Sequence, residues 1–454
     1  MHNTLRHYPI VLGLLSFVGF SIASTLAPAQ ATPPSAPAPT TKPARTVGKP
    51  ECIRTIDLKD FGSIQARYGD LDGDGTPEAV FAQITKAPGT NSAQFITCVT
   101  AINLEGKILW QRGTPNTANR NSDSDCACQI YDFDNDGNNE VLVVEGLTFR
   151  MLDGKTGKVK REAPVPANDC LLIANFAGAK HPNDLVTKDR YGHVYALDKD
   201  LKPLWDARIA TGHYPMNYDF NGDGKDELLC GYACFAPDGK KLWEVTSPEH
   251  NDGVDIDVLD SSGIASIAIA GTAEGLLISP DGQVIWRKTL RHVQHAVIGA
   301  FVEGRKDKQV VMVERINSGS PQGGIATCYT KDGTALWSTG ANGGITIAST
   351  VDGWTGEKGR SYLCLFRRSA GNPVLIDGTG AIVTTFDPPN GGNARNAYCQ
   401  HFDALGDSRE EMFIHNPSTL WVFANAAPAP ADLPAPDRVQ NRRMYGATFY
   451  VGQQ

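Results

Sequence analysis

One short pattern recurs along this chain and restricts its fold more than any other feature. An acidic loop runs straight into an apolar strand, and further on a glycine turn runs into an apolar–tryptophan pair. The acidic loops are clearest at Asp70-Leu71-Asp72-Gly73-Asp74-Gly75-Thr76-Pro77-Glu78, at Asp132-Phe133-Asp134-Asn135-Asp136-Gly137-Asn138-Asn139-Glu140 and at Asp219-Phe220-Asn221-Gly222-Asp223-Gly224-Lys225-Asp226-Glu227. Weaker echoes begin near Ala174, Asp257, Ala300, Val351 and Asp403. The turns are Gly106-Lys107-Ile108-Leu109-Trp110, Leu204-Trp205, Gly239-Lys240-Lys241-Leu242-Trp243, Gly282-Gln283-Val284-Ile285-Trp286 and Gly333-Thr334-Ala335-Leu336-Trp337, with degenerate copies at Gly157-Lys158-Val159 and Gly380-Ala381-Ile382-Val383. The units recur at about 45 residues, the length of one four-stranded propeller blade.

Between these signals lie short apolar or β-branched runs, such as Val141-Leu142-Val143-Val144 and Phe95-Ile96-Thr97-Cys98-Val99-Thr100. They are bounded by turn residues, and no window has the 3.6-residue period of an amphipathic helix. The chain therefore reads as all-β, a β-propeller of four-stranded blades. Eight loop starts predict eight blades, with seven as the alternative. The last unit runs out near Asn425, and Cys52-Ile53-Arg54-Thr55-Ile56 is available to supply its missing strand. A ring closed in this way has no exposed sheet edge.

Residues 1–31 read as a secretory signal: a weakly basic start, the apolar run Ile10 to Ile22 and a small-residue exit at Ala29-Gln30-Ala31. Residues 32–50 form a Pro/Ala/Thr-rich linker, 51–425 the propeller and 426–454 a C-terminal tail expected to pack on it. The expected location is secreted or periplasmic, with no membrane attachment after signal removal. A net charge of −8 argues against nucleic-acid partners. All ten cysteines lie beyond the signal, and export with an even count predicts disulfides whose pairing is open, Cys230 and Cys234 being close enough to pair locally. The protein is expected to act as a monomer.

The three clear loops place Asp, Asp or Asn, Asp and Glu at positions 1, 3, 5 and 9, with Gly at position 6. Alternate residues present hard oxygens to one centre, which is calcium chemistry. The expected ligands are Asp70, Asp72, Asp74 and Glu78; Asp132, Asp134, Asp136 and Glu140; and Asp219, Asn221, Asp223 and Glu227. An EF-hand is excluded, because position 12 is Phe81, Val143 or Cys230 and a strand follows. The loops are similar to those of integrin-type propeller repeats, and the weaker echoes are expected to be held by turn hydrogen bonds alone.

A second set of residues precedes the loops: Gly212-His213-Tyr214-Pro215, Glu249-His250-Asn251-Asp252-Gly253 and Arg291-His292-Val293-Gln294-His295, with His401 just before Asp403. On the innermost strands of successive blades these would converge at the mouth of the central channel. Histidines with Asp252 suit either a metal cluster or acid–base chemistry near neutral pH.

These histidine segments, the loop Asp-Phe-Asn-Gly-Asp-Gly-Lys-Asp-Glu and the closing stretch Gly406-Asp407-Ser408-Arg409-Glu410-Glu411 with Leu420-Trp421-Val422-Phe423-Ala424-Asn425 resemble the propeller domain of family 11 polysaccharide lyases, the rhamnogalacturonan lyases. The resemblance spans roughly Asp70 to Asn425. It implies a calcium-dependent, eight-bladed propeller that cleaves a pectin-type acidic polysaccharide by β-elimination. Within it, His250 or His292 would be the base, Arg291 or Arg190 the partner of the uronate carboxylate and Tyr214 the acid, with His213, Asp252, His295 and His401 holding substrate. Two other readings stand beside it. One is a non-catalytic adhesion propeller binding a cell-surface glycan or a protein. The other is a quinone-dependent dehydrogenase, suggested by the Trp turns and by Leu152-Asp153-Gly154-Lys155-Thr156-Gly157-Lys158.

Overall fold

Inner and outer strands carry different sequences because they meet different surroundings. Ala265–Gly271 and Val293–Gly299 are buried at every position, whereas the outer strand Pro203–Arg208 keeps only half-buried and exposed ones. An inner strand packs a neighbouring blade on each face and reads as a continuous apolar run, while an outer strand borders water. The computed structural model describes residues 47–86, 94–121, 125–315, 324–341, 346–368, 371–430 and 433, and the backbone of 446–447. The signal and most of the linker and tail lie outside these residues.

Among the described residues the strands form eight antiparallel sheets, an eight-bladed propeller of four-stranded blades. The innermost strands of blades 1 to 8 are Ala66–Gly69, Cys128–Tyr131, Leu172–Ala174, Met216–Tyr218, Asn251–Val258, Val293–Gly299, Ile347–Val351 and Tyr398–Phe402. Blade 8 takes its outer strand from the start of the fold: Pro50–Asp57 pairs with Thr419–Asn425, with Thr55 opposite Trp421. In the tail, Gly446–Ala447 pairs with Ala66 and Arg67 on the inner edge of blade 1.

The Gly and Trp of the repeat meet across blade seams. Trp110, Trp205, Trp243, Trp286 and Trp337 lie against the turn glycines of the next blade, Gly157, Gly239, Gly282, Gly333 and Gly380. A Cβ on Gly282 would stand 2.6 Å from the Trp243 ring, and its φ of +86° already requires glycine. The indole N–H of Trp110, Trp205 and Trp243 donates to the carbonyl of Gly154, Pro237 and Pro280 at 2.7, 2.9 and 2.8 Å. At the seam between blades 2 and 3 the turn residue is Leu201, at φ +63°, in place of glycine. Arg161 takes the tryptophan position there and donates to Lys199 O at 2.7 Å.

The last residue of each acidic loop pins it to the second strand. The backbone N–H of Leu71, Phe133 and Phe220 donates to Glu78, Glu140 and Glu227 at 2.7, 2.9 and 2.9 Å. Three of the five weaker echoes keep this bond: Ala177 N–H donates to Asp184, Val302 N–H to Gln309 and Ala404 N–H to Glu411.

The cysteines depart from expectation, since all ten are free thiols. Cys230 lies opposite Ala233 while Cys234 lies opposite Leu229, so the register separates the pair expected to bond. Burial pushes the Cys128 thiol up to about 11, with the Arg67 guanidinium opposing that rise.

Candidate functional site

The ends of the inner strands define two separate surfaces. Asp125, Asp169 and His213 each stand three residues before an inner strand, and His250 and His292 stand immediately before one. The acidic loops begin at the opposite ends of the same strands, at Asp70, Asp132 and Asp219. At about 3.3 Å per residue, an inner strand of three to eight residues separates them by roughly 10–26 Å. His213, His250 and His292 therefore do not sit beside the acidic loops but at the other end of the blades.

At the histidine end, three blades converge on one carboxylate. His213 Nε2 and His250 Nε2 lie 3.6 and 3.7 Å from Asp252 Oδ1, and His292 Nε2 lies 3.1 Å from Asp252 Oδ2. Gln294 Nε2 donates to Asp252 Oδ1 at 3.4 Å. His250 and His292 are half-buried, whereas Asp252 and His213 are fully buried. Tyr191, on the turn between the second and third strands of blade 3, lies over this group. Its ring centroid is 5.6 Å from that of His213 and 5.2 Å from that of His250, and it is 40 % exposed.

Beneath them is a buried charge network. His213 Nδ1 and Asp125 Oδ2 are 3.1 Å apart. Lys188 Nζ donates to Asp169 Oδ2, and Arg190 Nη1 reaches Asp125 at 3.5 Å and Asp169 at 3.4 Å. Asp125, Asp169 and Lys188 are inaccessible to solvent. Burial pushes the Asp125 and Asp169 carboxyls above the usual range, with Lys188 opposing the rise in both. Burial likewise holds His213 well below the usual histidine value: Asp252 opposes this, and Arg190 and Lys188 reinforce it. Burial of His213 thus favours its neutral imidazole form.

The residues named from sequence divide. His213, His250, His292 and Asp252 come together, with Arg190 directly below. Arg291 is exposed next to His292, and its backbone N–H donates to Glu314 at 2.8 Å. His295 is buried in the inner strand of blade 6, where its backbone packs against Gly253. Tyr214 is buried, and its hydroxyl lies 3.4 Å from the carbonyls of Cys126 and Leu171. His401 stands at the loop end of its strand, with Nδ1 3.3 Å from Glu410 Oε2, apart from the other histidines. Sequence reasoning missed Asp125, Asp169, Lys188 and Tyr191. Aligning the blades on the position three residues before the inner strand would have found the two aspartates, but Tyr191 has no such signal.

The orphaned polar atoms bear on a metal. Asp125 Oδ1 is buried without a hydrogen bond, and Asp252 Oδ2 and His292 Nε2 face each other at 3.1 Å without forming one. His213, His250 and Asp252 each offer a donor atom within 4.8 Å of the others. This donor set suits a divalent cation of intermediate softness.

The acidic loops divide too. In blade 1, Gly73 N–H and Gly75 N–H donate to the two oxygens of Asp70 at 2.7 and 2.9 Å, and Asp70, Asp72 and Glu78 converge on one point. Burial, then the charges of Asp72, Asp70 and Asp74, push Glu78 up to about 7, with the Leu71 N–H opposing them. In blade 4 the Asn221 amide donates to Glu227 at 2.9 Å, so the two expected ligands bond each other. In blade 2 Asp132, Asp134 and Asp136 converge likewise, and Lys160 reaches into the loop.

No family model matches the chain, and no curated protein matches it. Solved structures share its fold. The exotype rhamnogalacturonan lyase YesX is 17 % identical, with a TM-score of 0.56 over 84 % of this chain and 76 % of that one. The V. cholerae biofilm matrix protein Bap1 is 13 % identical, with a TM-score of 0.58 over 88 % and 90 %. A quinohemoprotein alcohol dehydrogenase from Comamonas testosteroni is 11 % identical, with a TM-score of 0.51 over 86 % and 78 %. At these identities the likeness is one of fold, and propellers of that fold include lyases, matrix proteins and dehydrogenases.

Proposed function

We propose that the chain is an exported, calcium-stapled propeller that cleaves an acidic, uronate-containing polysaccharide of pectin type by β-elimination. The observation that carries this reading is the convergence of His213, His250 and His292, from three consecutive blades, on the single carboxylate of Asp252. Elimination requires a base for the proton next to the uronate carboxyl, a positive charge on that carboxyl and a proton for the leaving oxygen. His250 and His292 are the accessible bases, and Asp252 orients both. Arg291 is the accessible cation. Arg190 is engaged with Asp125 and Asp169, so its part is to support the floor of the site. The hydroxyl of Tyr214 faces backbone carbonyls, and the acid role passes to Tyr191, whose exposed ring also offers a face for a sugar to stack on. A divalent cation held by His213, His250 and Asp252 would supply carboxylate neutralisation when bound, and His292 would then be the base. Calcium in the acidic loops staples the blades from the other surface.

The fold of YesX supports this reading, and the fold of Bap1 supports a second, a non-catalytic propeller that binds a surface glycan through the same Tyr191-capped mouth. The Trp turns that suggested a dehydrogenase are accounted for by blade packing. The test is incubation with pectic and other uronate polymers in the presence of calcium, following absorbance of the unsaturated product. Product from at least one polymer is expected. Silence on all of them, with retained binding to one, leaves the adhesion reading standing in place of the lyase.

A further inference from the structure

The repeat contains its own control for the acidic loop of blade 2. Three residues after the turn position, the outer strands carry Leu109 in blade 1, Leu204, Leu242, Ile285 and Leu336 in blades 3 to 6, and Val383 in blade 7. Blade 2 has Lys160 there. Its ammonium lies 2.7 Å from Asp134 Oδ2, 2.7 Å from Asp136 Oδ2 and 2.8 Å from Glu140 Oε1. Three ammonium protons meet three carboxylates. The loop is otherwise built like that of blade 1: Gly137 N–H donates to Asp132 Oδ2 at 3.0 Å, as Gly75 N–H does to Asp70 Oδ2 at 2.9 Å. In blade 1, no cation among the described residues pairs with Asp70, Asp72, Asp74 or Glu78.

We propose that Lys160 is the built-in cation of the blade 2 loop and closes that loop to calcium. Calcium needs six to eight oxygens at about 2.3–2.6 Å around one centre. An ammonium bonded to three of the four acidic side chains occupies that centre, so lysine and calcium exclude each other. The tethered ammonium needs no ion from solution, so the blade 2 loop stays held together where calcium is scarce. This rests on the calcium reading of the blade loops, and it reduces the ions expected on the first half of the ring.

The test is calorimetric titration of calcium into the chelator-treated full chain, comparing wild type with Lys160→Met, Asp134→Asn and the double variant. The expected result is one more calcium per chain in Lys160→Met than in wild type. Asp134→Asn leaves the wild-type stoichiometry unchanged, and in the Lys160→Met background it removes the gained site. An unchanged stoichiometry in a folded Lys160→Met protein overturns the proposal, as does loss of a wild-type calcium in Asp134→Asn. If wild type takes up no calcium but Lys160→Met takes up one, the calcium reading of the other loops fails and the role of Lys160 stands.

Discussion

Gly282→Ala is the most informative perturbation of the ring itself, because two separable costs act at that residue. At φ +86° an added side chain pays for a left-handed backbone, about 1–2 kcal/mol. The new Cβ would also stand 2.6 Å from the Trp243 ring, closer than any carbon contact allows. Trp243 must then leave its bed and strain the N–H···O bond to Pro280 (2.8 Å), an overpacking cost of about 1–3 kcal/mol. Together these reach about 2–5 kcal/mol. Gly263, in the same blade at φ +72°, has nothing within 4 Å of where its Cβ would stand, so Gly263→Ala carries the backbone cost alone. Thermal melts of the two variants read the difference at roughly 1.2 °C per kcal/mol for a chain of this size. A midpoint lowered by roughly 2–6 °C is expected for Gly282→Ala and by roughly 1–2 °C for Gly263→Ala. Equal losses would refute the idea that tryptophan docking, beyond turn geometry, holds the seams.

Other perturbations address the charge networks and the site. Lys188→Met leaves Asp169 buried without its nearest cation and Asp125 with Arg190 as its remaining cation, and should cost about 3–5 kcal/mol in denaturant unfolding, partly restored by a second change, Asp169→Asn. The His401–Glu410 pair predicts a pH window. Burial opposes the charge of both groups, but each partner outweighs it, raising His401 above its ordinary 6.5 and lowering Glu410 below its ordinary 4.5. The histidine's contribution is complete below pH 6.5 and fades as pH rises through its raised value. The glutamate's is complete above pH 4.5 and fades as pH falls through its lowered value. Melts of wild type against His401→Asn should therefore differ most between these limits, and a pH-independent difference would contradict the pairing. Tyr191→Phe should lower polymer turnover by about 10²-fold if its hydroxyl is the acid, whereas an equal loss of binding in Tyr191→Phe would assign it to recognition alone.

The architecture was legible because the repeat is written at two positions that chemistry constrains tightly. A turn at positive φ that must also accept an indole leaves glycine as the residue, and the indole leaves tryptophan. Where the turn residue is Leu201, the partner becomes Arg161, and the sequence signal fades with it. The closing strand was legible as a unit lacking one element. What the residues could not reveal was direction along the blade. His213 and Asp219 are neighbours in sequence, yet an inner strand lies between them and sends them to opposite ends. His401 looked equivalent to the other histidines because it precedes an acidic loop, but it lies at the end of its strand and they lie at the start of theirs. Cysteine pairing was illegible for a similar reason, since register sets Cys234 opposite Leu229.

The central claim is that chemistry belongs to the Asp252-centred histidine mouth and ion stapling to the far ends of the same strands. The most direct measurement is turnover of a uronate polymer, with the calcium-induced rise in melting temperature recorded in parallel, for Asp252→Asn and Asp70→Asn. Asp252→Asn is expected to lose turnover by more than about 10²-fold and to keep the calcium response, while Asp70→Asn shrinks that response and keeps turnover when folded. Full turnover in Asp252→Asn would contradict the account.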